Sequence, residues 1–265
     1  MDFIKTVWKN KKMILKLGIN DFKNKFARTS LGSLWGFIQP LVMMLTYAIV
    51  FEYILKVGES DGKPFAVWYF PAMTMWLFIN DSINSVSNSI VAYSYLVKKI
   101  VFPVDTIPVI SLISTSINSI FLIVVTFVIC AIYGVFPNVL VAIYFIICAV
   151  CFLVGVTRFT SAVATLVPDF SQLITVIMQL AFWFTPIIWN ISMVEGYANG
   201  LIANLIKCLP FSYLVMGFRQ AFVGGDILTE KHALYTIIFW IITILIFLWS
   251  NSVFKRCKKD FADVL

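Results

Sequence analysis

Four ionisable side chains lie within or at the edges of long apolar runs: Glu52, Asp81, Arg158 and Asp169. A charge in hydrocarbon is expensive, so such residues either serve a route for polar cargo or neutralise one another. Glu52 falls at the end of an apolar run and Asp169 in the tight Val167-Pro168-Asp169 turn, so position accounts for both. Asp81 and Arg158 keep a functional candidacy, with a structural salt bridge as the competing account. Asp81 sits in a polar tract, residues 80–89, where Ile83, Val86 and Ile90 share one helical face and Asn84 and its polar neighbours cover the rest. Ser111, Ser114, Thr115, Ser116, Asn118 and Ser119 mirror that tract at the start of the next run. Lipid does not solvate such surfaces. They form either a hydrophilic vestibule or close serine-mediated helix contacts, and Asp81 would be costly in a dry contact.

Enzymatic chemistry is missing. The chain has no Gly-x-x-x-x-Gly-Lys-Ser/Thr loop to cradle a nucleotide phosphate. Its one histidine, His232, stands beside Glu230 and Lys231 and leaves no Ser–His–acid arrangement. Cys148-x-x-Cys151 is flanked by Ile, Val, Phe and Leu, so packing is the expected role of the cysteines. Asp105, Asp169 and Asp226 stand isolated, unlike the clustered acids that a membrane transferase needs for metal and diphosphate. We expect no catalytic residues, no metal site and no cofactor bound by this chain.

These side chains are carried on membrane segments. Hydrophobic residues make up 61% of the 265, which leaves little for a soluble domain. Six runs approach the roughly 20 residues a span needs: 34–55, 65–89, 109–136, Val139–Leu166, 173–189 and 234–253. The expected fold class is an all-α membrane protein with six transmembrane helices. The net charge of +7 comes from lysines and arginines beside these runs, which the positive-inside rule explains without a nucleic-acid partner. Lys5 to Arg28, Lys98 with Lys99, and Lys255 to Lys259 all fall in the cytoplasm if the spans number six and both termini share that side. The first apolar run begins too far into the chain for a cleavable signal peptide.

Residues 1–30 form an amphipathic interface segment, with Ile4, Trp8, Leu15, Ile19, Phe22 and Phe26 on one stripe and lysines beside it. Lys11 interrupts the stripe, so one helix or two short ones fit equally. Residues 31–265 then make a single six-span domain. Residues 93–107 are long enough for a short cytoplasmic helix whose aromatic and basic groups suit a partner. Between spans five and six, residues 190–230 predict short re-entrant or interfacial helices on the outer side, closed by Gly224-Gly225-Asp226. Phe182-Trp183-Phe184 and Trp189 form either an aromatic belt or a surface on which sugars stack.

In order and spacing, several segments resemble the type-2 permease family of ABC exporters, in the branch that exports lipid-linked polysaccharides and teichoic acids. An amphipathic basic segment precedes Leu31-Gly32-Ser33-Leu34-Trp35 and Pro40. There follow the loop at residues 93–105, Phe184-Thr185-Pro186-Ile187, Pro210-Phe211, Phe218-Arg219 and the tail Phe261-Ala262-Asp263. The resemblance implies a homodimer bound to two ABC ATPase subunits, with ATP and Mg held by those partners. It implies ATPase coupling through Tyr95, Lys98, Lys99, Phe102, Pro103 and Asp105, and paired outer gate helices at residues 190–226. The cargo would be a glycan on polyprenyl diphosphate, its lipid passing near spans one and five. Trp35, Phe37, Asp81, Asn84, Arg158, Phe182 and Trp183 are the path residues. The Lys-, Asn-, Ile- and Phe-rich composition resembles low-GC Gram-positive proteins and tilts the cargo to wall teichoic acid over capsule or O-antigen. The expected place is the bacterial cytoplasmic membrane.

Two further classes compete. A proton-coupled flippase needs a buried relay of acids or an internal repeat, and neither is visible. A type-2 ABC drug or lipid exporter shares the fold, but the aromatic path and interface helix favour glycan.

Overall fold

The computed structural model describes residues 2–25, 29–57, 62–97, 102–224 and 230–264, and among these every regular element is a helix. The chain opens with α1 (Asp2–Lys9) and α2 (Lys11–Lys25), followed by α3 (Trp35–Ile49), which runs on through a wider π turn at Val50–Ile54. Next come α4 (Phe65–Ser87), the short α5 (Ser89–Ala92) and α6 (Ser94–Val97), and the long α7 (Ile107–Ile132) and α8 (Val139–Leu166). The last third holds α9 (Asp169–Phe184), α10 (Ser192–Glu195), α11 (Leu201–Cys208), α12 (Pro210–Val223), α13 (Glu230–Cys257) and α14 (Phe261–Val264).

The axis of the bundle is α4. Residues 65–79 are apolar on every side, and a helix of that kind has to be buried. It packs on α7, α12, α8, α9 and α3, and its side chains from Phe65 to Trp76 are all buried. α13 lies along α8, where Gly155 admits it: a Cβ there would stand 3.4 Å from the Phe247 backbone nitrogen.

The amphipathic start is two helices, divided at Asn10. α2 rests on α7 through Ile14, Gly18 and Phe22, every fourth residue. Gly18 makes that seat: a Cβ there would lie 2.7 Å from Ile113 Cγ2. The expected stripe is therefore offset from the docking face. Ile4, Trp8, Leu15 and Ile19 are exposed, and only Phe22 belongs to both faces. Phe26 and Arg28 lie outside the described residues.

Among the described residues, four helical stretches are long and apolar enough to cross a bilayer: Gly32–Ile54, Val104–Ile132, Val139–Leu166 and Ala233–Cys257. The α11–α12 pair makes a fifth if its two arms, bent by 88°, count as one span. Of the six expected, the second and fifth are helices where they were placed, α4 and α9, but fall short as spans by length and composition. The polar second half of α4 lowers its hydropathy. The 16 residues of α9 reach about 24 Å at 1.5 Å each, less than the roughly 30 Å of hydrocarbon. Residues 190–224 hold α10, a 3-10 turn at Tyr197–Gly200, α11 and α12, as the helical spacing there predicted. α12 is buried deep against α4 and α8, with Gly217 seated on the Phe145 ring. Gly225 and Asp226 lie outside the described residues.

Candidate functional site

The polar half of α4 does two jobs. On one face it packs against α7, where the buried Ser82 and Thr115 hydroxyls meet at 3.0 Å; in the apolar half of α4, buried Thr74 meets Thr126 of α7 in the same way at 2.7 Å. On another it faces a cleft of about 300 Å³ between α2, α3, α4 and α7. Asn80, Asp81 and Ser85 line it from α4, Ser114 and Asn118 from α7, Gln39 and Pro40 from α3, and Phe22 and Lys25 from α2. A polar cleft and serine packing thus coexist on one helix, on different faces.

Within the cleft, Lys25 Nζ donates to Ser85 Oγ at 3.2 Å, and Ser85 Oγ donates to Asp81 Oδ1 at 3.0 Å. One cation and one anion are bridged by a hydroxyl, which leaves the cleft near neutrality. Ser114 Oγ and Asn118 Oδ1 are buried and have no hydrogen-bond partner among the described residues. Asn84 ties α4 to α9: its Nδ2 donates to Asn80 Oδ1 within α4 at 3.0 Å, and its Oδ1 accepts from Thr175 of α9 at 3.0 Å. Ser171 of α9 likewise donates to Asn88 Oδ1 at 2.8 Å.

A second polar centre forms at the same, basic end of the bundle. Arg158, 1% exposed near the end of α8, is 3.6 Å from Asp105, which also pairs with Lys258. The guanidinium lies over the rings of Phe3 at 3.7 Å and Phe254 at 4.5 Å, and reaches Asn251 Oδ1 at 3.4 Å. Two aromatic faces and a carboxylate offset the desolvation of the charge. The Arg158–Asp105 pair therefore joins α1, the turn at Val104–Thr106, α8, α13 and, through Lys258, the C-terminal tail. A small apolar cluster surrounds this centre, including Ile14, Tyr93, Phe254 and Phe261, with Phe102 against its edge. Tyr93 donates to Asp21 at 2.5 Å; burial, then that carboxylate, pushes its phenol above the usual range and keeps it neutral.

The sequence-derived path residues fall into separate places. Asp81 lines the cleft, whereas Arg158 stands with Asp105 in the ionic centre. Phe37 points inward and packs on Phe22 and Phe121, at centroid distances of 5.3 and 4.6 Å. Phe182 bridges Tyr47 of α3 and Trp76 of α4, while Trp183 beside it is 67% exposed and Trp35 40%. Of the coupling residues, Tyr95 is exposed on α6, Phe102 and Pro103 are half-buried, and Lys98 and Lys99 lie outside the described residues.

Arg219 is a residue that sequence reasoning passed over as a site. Buried on α12, it donates to the carbonyls of Pro186 at 2.6 Å and Ile187 at 2.9 Å, and stacks over Trp68 at 3.5 Å. Those carbonyls follow the end of α9, where the backbone leaves its helix inside the bundle. Such backbone is tolerated only when protein satisfies it. An arginine inside an apolar segment was the available signal.

A family model described as ABC-2 type transporter matches residues 14–223, from α2 to the end of α12. The chain is similar to an O-antigen export system permease protein RfbA from Klebsiella pneumoniae, 23% identical over 252 residues and 92% of each chain. A protein of the same name from Myxococcus xanthus is 18% identical over 265 residues, covering 98% of each chain.

Proposed function

The chain belongs to the ABC-2 type transporter family, and on that premise we propose that it is the membrane subunit of an ATP-driven polysaccharide exporter. The observation that carries this reading is the similarity to O-antigen export permeases over 92% and 98% of each chain. The family implies a partner ATPase subunit, where ATP and Mg would bind. Two permeases and two ATPases would form the working unit in a bacterial cytoplasmic membrane, with the basic end of the bundle on the cytoplasmic side. Six crossings are then made by α3, α4, α7, α8, α9 and α13, and the bent α11–α12 pair serves as outer gate.

The ATPase would dock on α6, through Tyr95 and the neighbouring Lys98 and Lys99, and on the turn carrying Phe102, Pro103 and Asp105. Motion there would pass into the bundle through Asp105 and Arg158. The cargo would be a glycan attached to a polyprenyl diphosphate. Its lipid would pass the exposed aromatics Trp35 and Trp183, and its sugars would move beside Asp81. Wall teichoic acid, the cargo suggested by composition, draws no support from the relatives, which are named for O-antigen export.

The test is co-purification with the ATPase subunit encoded beside this chain. A stable complex whose ATP hydrolysis rises with lipid-linked polysaccharide is expected, and Tyr95→Asp should reduce its yield. Failure of any ABC ATPase to associate with the wild-type chain would refute the reading.

A further inference from the structure

We infer that the cleft between α2, α3, α4 and α7 is a recognition site for an uncharged, hydroxyl-rich sugar unit of the cargo. This rests on the exporter reading above and sharpens it to a ligand chemistry. Three observations carry it.

The first is size: about 300 Å³ falls at the lower end of small-ligand pockets, suited to one sugar ring rather than a folded polymer. The second is the state of its polar groups. The hydroxyl of Ser114, a fully buried residue, and the Asn118 carbonyl oxygen line the cleft without partners among the described residues. A buried polar atom left unpaired costs free energy that a ligand's hydroxyl recovers by donating to it or accepting from it. Sugar hydroxyls both donate and accept, which suits a wall of carboxylate, amide and hydroxyl groups.

Charge is the third. The lining holds one ammonium, Lys25, and one carboxylate, Asp81, joined through Ser85. A phosphodiester repeat or diphosphate would meet the Asp81 carboxylate with a single lysine to offset it. A neutral ring meets no such penalty and finds apolar walls in Phe22, Pro40 and Met43. Lys25 and Phe22 belong to α2, which Gly18 seats on α7, so occupancy of the cleft touches that docked helix.

The experiment uses the permease–ATPase complex in nanodiscs, with two probes: polyprenyl diphosphate carrying a short chain of uncharged hexoses, and the same lipid carrying poly(glycerol phosphate). ATP hydrolysis is titrated against each for wild type, Ser114→Ala and Asn118→Ala, with complex yield on gel filtration as the folding check. The expected result is stimulation by the hexose probe, with the half-maximal concentration raised about tenfold in Asn118→Ala and less in Ser114→Ala. Ser114→Ala separates the alternatives best. It deletes an unpaired buried hydroxyl, so complex yield should hold or improve while the glycan response weakens. Wild-type and variant curves that coincide for the hexose probe would overturn the site and leave the exporter intact. A stronger response to poly(glycerol phosphate) would overturn the neutral-sugar assignment. No response of the wild-type complex to either probe would overturn the exporter reading itself.

Discussion

Asp81 and Arg158 are both charges within apolar runs, and the bundle treats them in opposite ways. Arg158 is sealed: two phenyl rings cover its faces, and Asp105 and Asn251 take its edge. Asp81 is half-buried and open to a cleft, held by one hydroxyl that also serves Lys25. A charge wrapped in protein on all sides fixes the relative positions of the elements that wrap it. One left facing a cavity keeps binding capacity for something else. The first arrangement holds helices in place against one another; the second leaves polar groups facing a cleft.

Substitutions can widen or collapse that contrast. The largest effect is expected from Arg158→Leu, which strips Asp105 of its buried partner and removes the tie between α1, α8 and α13. Asp105 keeps Lys258 as a partner, so the loss comes mainly from the two stacked rings, about 2–4 kcal/mol for two desolvated cation–π contacts, read as poor complex yield and a lowered melting transition. Arg158→Lys should not restore it, because a compact ammonium cannot stack between Phe3 and Phe254 as a planar guanidinium does. Gly18→Val comes next. Its side chain would enter the space of Ile113 and lift α2 from α7, at about 1–3 kcal/mol. Protease accessibility of the first 25 residues should rise while the remaining helices stay protected.

Asp81→Asn should behave as the opposite of Arg158→Leu. The hydrogen bond from Ser85 can be kept by the amide oxygen, so stability should change by less than about 1 kcal/mol. Polysaccharide export should nevertheless fall, and equal export by Asp81→Asn and wild type would remove Asp81 from the path. The smallest effect is expected at Ser82→Ala, which breaks the contact to Thr115 on the dry face of α4. Thr115 also donates to the Leu112 carbonyl, so thermal stability should drop by about 1 kcal/mol or less and export should hold.

The helices were legible because hydrophobic length and turn residues are local signals. The Val167-Pro168-Asp169 break between α8 and α9 lies where proline and its neighbours put it. The division of polar residues on α4 was legible only in outline: composition showed that lipid could not solvate them, and only packing could show which faced α7 and which the cleft. Arg158 was flagged, but its partner Asp105 is 53 residues away in sequence, beyond any local pattern. α2 defeated the apolar stripe for another reason. Its closest approach is made by Gly18, which has no hydrophobic side chain to count yet admits Ile113 as no larger residue could. Arg219 was read as part of a motif. Its role depends on where the α9 backbone ends, a tertiary fact.

The most direct test of the account is transport itself. The chain and its ATPase subunit are reconstituted in proteoliposomes, and movement of a lipid-linked polysaccharide across the bilayer is followed. The account predicts translocation that requires both subunits and ATP hydrolysis. Translocation by this chain alone under a proton gradient, or none with both subunits and ATP, would contradict it.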